Sequence, residues 1–175
     1  MITNILIDHP WLSPAALGIL VVLGPFVGAW LVARRRLAWA STAVSLLPVA
    51  LLTLVPVHRE LFARCTVQWS LPTPGRVELF ANVVLFVAPV LLAGVATRRP
   101  LVVLFAGSGL SVALEAVQAL VPAIGRSCDT NDWLSNTIGA IAGAALAQVA
   151  LSLARARRSP GTGDPSPTTW TAGRL

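Results

Sequence analysis

Residues 108–143 read SGLSVALEAVQALVPAIGRSCDTNDWLSNTIGAIAG, two apolar segments joined by a short turn dense in charge. Each segment carries carboxylates, amides or hydroxyls inside a run otherwise apolar enough for a bilayer. A carboxylate that is free in water costs about 3 kcal/mol at the centre of a membrane. Whether these groups form a site therefore depends on what surrounds them.

Working outward, the whole chain is apolar. Its 175 residues are 55% hydrophobic and 11% charged, against about 25% charged in soluble domains, and the mean hydropathy is +0.76. The polar stretches at either end are too short to build a core of their own. The expected fold is an all-α integral membrane protein, a bundle of about five transmembrane helices over 12–33, 37–57, 77–96, 101–121 and 132–154. Each span has roughly the 20 residues needed to cross a hydrocarbon core of about 30 Å. Residues 1–11 form a lead with no basic residue, so no cleaved signal peptide is expected. Residues 155–175 are basic at first and then rich in Pro, Gly, Ser and Thr, which predicts a disordered tail.

All thirteen basic residues are arginine, and they set the net charge at +6. They flank apolar segments, which points to topology and anionic lipid headgroups rather than to nucleic acid. Arg34, Arg35, Arg36, Arg98, Arg99, Arg155, Arg157, Arg158 and Arg174 fall on one side of the five spans. Arg59, Arg64, Arg76 and Arg126 fall on the other. The excess predicts that the first side is cytoplasmic, with the amino terminus outside and the carboxyl terminus inside. Cys65 and Cys128 then share the outer side, where a disulfide is chemically allowed. A Cys65–Cys128 bridge is expected; the plainer alternative is two unpaired small residues. Neither metal nor cofactor is expected, since the outer connections supply too few ligands for a Cys/His zinc site.

On the fourth span Ser108, Ser111, Glu115 and Gln118 lie within one arc of about 80° at helical spacing. On the fifth, Asp132, Asn136, Gly139 and Gly143 share a face, with Asp129 three residues earlier. On the third, Glu78 and Asn82 are one turn apart. Glu115 lies about 9 Å inside the end of its span, so all these groups sit at similar depth below the outer surface, with Arg76 and Arg126 above them. Two helices could simply be joined by such groups; the convergence of eight of them favours a cavity for something polar. The Gly139, Gly143, Ala147 spacing is a packing stripe, expected against the third or fourth span. Trp11, Trp30, Trp39, Trp69 and Trp133 are expected as interface anchors.

These residues also carry a resemblance. Glu78, Asn82, Phe86 and Pro89, then Ser111, Glu115 and Gln118, then the turn from Arg126 through Asp129 to Asp132, then N-T-I-G from Asn136 to Gly139, together resemble the VanZ-like family. The block from Arg126 to Gly139 is its most specific part. One departure is Pro89, a residue later than the family spacing after Phe86. Another is Cys128 within the turn, which points to a subgroup that locks its outer loops. The resemblance implies a cell-envelope protein linked to low-level resistance to glycopeptides of the teicoplanin type.

Three functions follow as expectations. In the first, Glu78, Asn82, Glu115, Gln118, Arg126, Asp129, Asp132 and Asn136 bind the headgroup of a membrane lipid or lipid-linked envelope precursor in the bacterial plasma membrane. Arg126 suits a phosphate or carboxylate because its guanidinium fork is bidentate. In the second, Glu115 and Asp132 act as acid and base of a membrane enzyme on a lipid-linked substrate. No nucleophile is recognisable, because His9 and His58 lie outside the cluster. In the third, the polar stripes serve packing alone.

Overall fold

The computed structural model describes residues 8–57 and 64–158. The expected tail beyond 158, most of the lead, and His58 and Arg59 lie outside them. Five long helices account for most of the rest: α1 (Leu12–Leu31), α2 (Arg35–Leu54), α3 (Val77–Thr97), α4 (Pro100–Leu120) and α5 (Thr130–Ala156). All five are long and apolar enough to cross a membrane. Between them lie a 3₁₀ turn (Pro122–Ile124) and two short strands, β1 (Cys65–Thr66) and β2 (Cys128–Asp129), paired in parallel.

The helix limits differ from the expected spans for local reasons. Arg35 and Arg36 begin α2 instead of separating it from α1, because arginine is a good helix former and hydropathy alone reads it as a break. The same helix stops at Leu54. Val55 is extended, with ψ at 125°, as the residue before Pro56 is biased to be. Pro100 opens α4 at a position where its missing N–H is no loss. α5 starts at Thr130 because Asp129 caps it, its carboxylate accepting from the Asn131 N–H.

α3 and α5 form the centre. Gly139 and Gly143 of α5 leave room for the Val83 and Val87 carbonyls of α3, and a Cβ at Gly143 would lie 2.6 Å from the Val87 oxygen. The small-residue stripe therefore packs on the third helix. Ala147 continues the contact against Gly94, and Ala150 meets Gly28 of α1. Near the arginine-rich end the core is Leu31, Ala38, Leu91, Val95 and their alanine neighbours. Toward the opposite end it is Val49, Phe86 and Leu114.

The outward faces are apolar. Phe105 is 72% exposed, Leu101 70% and Val22 61%, so large hydrophobic side chains point away from the core around the bundle. Soluble monomers do not expose apolar surface on this scale. Two hydroxyls within α2 are satisfied by their own backbone: Thr42 donates to the Ala38 carbonyl and Thr53 to that of Val49, which suits an environment without water.

Of the tryptophans, Trp11, Trp30, Trp39 and Trp69 are exposed near helix ends. Trp133 differs. It is partly buried and meets Trp69 edge to face at 6.2 Å between ring centroids.

Candidate functional site

The site is built at the end of the bundle that holds the carboxyl end of α4 and the amino ends of α3 and α5. Over it lies a cover made by two connections. β1 and β2 place Cys65 opposite Cys128 and Thr66 opposite Asp129. A disulfide joins the two cysteines, whose Cα atoms are 4.5 Å apart. The segment after β1 is then laced to α5. The Gln68 N–H donates to the Thr130 hydroxyl at 2.8 Å, that hydroxyl donates to the Gln68 carbonyl, and the Ser70 N–H donates to Asn131 Oδ1 at 2.7 Å. On the other side the Val57 N–H donates to the Ile124 carbonyl at 2.9 Å. That contact needs Gly125 at φ +68°, since a Cβ there would strike the Val57 carbonyl.

Beneath the cover the polar stripes meet. Glu115 Oε2 accepts the Asp129 backbone N–H at 2.7 Å, so a carboxylate of α4 holds the start of α5. Asp132 Oδ1 accepts from Asn82 Nδ2 at 2.7 Å, which ties α5 to α3. One turn deeper, Asn136 Nδ2 donates to the Ser111 hydroxyl at 2.9 Å, and the Ser108 and Thr137 hydroxyls share a hydrogen bond of the same length. Depth and face were the grounds for expecting these groups together, and the structure joins Asn82 to Asp132, Glu115 to Asp129, and Asn136 to the stripe of α4.

Gln118 is set apart. Its Nε2 donates to the Thr53 carbonyl of α2 at 3.0 Å. Glu78 is exposed, but its charge acts on Asp132, as do those of Asp129 and Arg126. Glu115 in turn feels both Asp129 and Asp132. An open depression of about 360 Å³ adjoins the first turn of α3, formed by Arg76, Val77, Glu78 and Leu79.

Several buried polar atoms here have no hydrogen-bond partner among the described residues: Arg126 Nε, Trp133 Nε1, Ser135 Oγ, Asn136 Oδ1 and Gln118 Oε1. Each costs about 1–3 kcal/mol when left unpaired away from water. Arg126 is the most telling, as a guanidinium donor is seldom buried without an acceptor. Asn131, Trp133 and Ser135 also lie at this end of α5, outside the expected set of site residues. Asn131 and Ser135 are both buried and stand one turn apart on an apolar helix, a spacing that carried the signal for them.

A helical bundle with five helices of spanning length and apolar outward faces defines the class: a multi-pass membrane protein. A family model described as VanZ/LLP1 matches residues 15–151. The chain belongs to the VanZ/LLP1 family. No curated protein and no solved structure matches the chain.

Proposed function

We propose that the chain is a cell-envelope protein of the bacterial plasma membrane that binds the polar headgroup of a lipid or lipid-linked precursor under the disulfide-pinned cover. The amino terminus and the cover face outward. The observation that carries this reading is the buried Arg126 Nε, which lacks a hydrogen-bond partner among the described residues at an end of the bundle rich in carboxylates. An incoming phosphate or carboxylate supplies the missing acceptor. Glu115 and Asp132 are each held through one oxygen and can take hydrogen bonds from the sugar or peptide part of a headgroup. The ligand that fits best therefore carries an anion and several donors together, with its tail left among the lipids.

The arrangement of the two carboxylates favours one second reading. Each is oriented by a single hydrogen bond under the same cover, as an acid and base acting on a lipid-linked substrate would be.

The test is glycopeptide susceptibility in a sensitive host expressing wild type, Glu115→Ala, Arg126→Ala or Arg126→Lys at equal membrane abundance. Wild type is expected to protect and all three variants to fail, Lys included, because an ammonium cannot replace the bidentate fork. Equal protection by all four makes the cluster a packing device. No protection by any of them removes the resistance phenotype from the proposal.

A further inference from the structure

The opposite end of the bundle carries a different chemistry. It gathers Arg34 to Arg36 before and within α2, Arg98 and Arg99 between α3 and α4, and three arginines from 155 to 158 at the end of α5. Every Asp and Glu among the described residues, Asp8, Glu78, Glu115, Asp129 and Asp132, lies toward the other end. Topology accounts for arginines at helix ends. It does not account for a cavity built around two of them.

That cavity, of about 340 Å³, lies between the α1–α2 turn and the end of α3 and is lined by Leu31, Val32, Arg35, Val95, Thr97 and Arg98. Its floor is core: Leu31 is 3% exposed and Val95 1%. Arg98 adopts φ +58°, the only positive φ outside glycine among the described residues. It caps α3 in the left-handed conformation that glycine ordinarily supplies there at lower cost. From that position its guanidinium reaches across to the carbonyl of Val32, just past the end of α1, in a long contact of 3.5 Å. Arg34 is engaged elsewhere, donating to the Trp30 carbonyl at 3.1 Å and lying 4.0 Å over the Trp30 ring. Arg35 and Arg98 are thus the two guanidiniums at the cavity, and both are exposed.

We infer that this cavity is a site for the phosphate of an anionic phospholipid, bound between Arg35 and Arg98. Guanidinium pairs match phosphate oxygens bidentately. The cavity opens at the ends of apolar helices, the level at which headgroups lie, and the exposed Val27 of α1 and Leu37 of α2 belong to the apolar faces of the two helices that meet there. A basic recess between spanning helices is the physical form of an anionic headgroup site. The site is independent of the carboxylate cluster and of the function proposed for it.

The test uses the full chain in neutral detergent, with phosphatidylglycerol or phosphatidylcholine of the same acyl chains, and reads bound lipid by native mass spectrometry. Wild type retains phosphatidylglycerol in preference to phosphatidylcholine. Arg98→Gly and Arg35→Gln each lower that retention about fivefold. Glycine adopts the Arg98 conformation without strain, so Arg98→Gly is expected to keep its melting temperature. The double variant Arg155→Gln, Arg157→Gln removes two charges from the same end but none from the cavity, and changes retention less than about twofold. Inorganic phosphate at constant ionic strength leaves the lipid in place. Three results would overturn the inference. They are unchanged retention in both cavity variants, equal loss in the Arg155 and Arg157 variant (diffuse surface charge), or displacement by inorganic phosphate (a free-anion site).

Discussion

Asp132 and Asn82 face each other across α3 and α5, and two turns further along α5 Gly139 lets the Val83 carbonyl into the same interface. The polar pair and the glycine are parts of one contact, since only close helices bring a short amide to a short carboxylate. Gly139→Ala would place a methyl group on a backbone oxygen that has nowhere to go. Overpacking of this kind costs about 1–3 kcal/mol, or a fall in melting temperature of about 2–4 °C per kcal/mol for a chain of this size. Gly109→Ala is the control, because nothing lies within 4 Å of its added Cβ. A thermal melt in detergent should separate the two; an equal effect would mean that helix propensity and not packing sets the Gly139 position. Helical spacing and depth made it legible that the amides and carboxylates of three helices lie at one level, but not which of them pair. Asn82 with Asp132 and Gln118 with the Thr53 carbonyl carry no mark in the spacing. Nor was the bond from the Asp129 N–H to Glu115 legible. A backbone donor in a turn leaves no mark in residue identity.

At the scale of elements, the five helices were legible from hydropathy and their exact limits were not, because hydropathy reports the membrane and hydrogen bonding sets helix ends. Arg35 is helical although charged, and Val55 is extended although apolar. The β1–β2 pairing was invisible for another reason: two residues are too few to show a period of two. What could be read was the presence of Cys65 and Cys128 on one side of the spans, and the disulfide joins them. It closes a separation of 63 residues, a constraint worth about 4 kcal/mol in the chain-entropy account. Cys65→Ser should lower thermal stability and free Cys128, which a membrane-impermeant maleimide then labels on intact cells. Labelling confined to inverted vesicles would reverse the proposed orientation.

The whole molecule is polarised. One end collects arginine around a cavity, and the other collects carboxylates, amides and the half-buried Arg126 under a covalently fixed cover. Only apolar helices join the two, so each end can be disabled without the other. The central claim concerns the covered end, and the direct measurement is of the lipids it holds. Wild type, Arg126→Ala and Arg98→Gly would each be incubated in detergent with the same total envelope lipid extract, washed, and their retained lipids profiled by mass spectrometry. The account predicts one lipid or lipid-linked species kept by wild type and Arg98→Gly and lost from Arg126→Ala. Identical profiles for wild type and Arg126→Ala would contradict it and leave the cluster as the fastening of three helices.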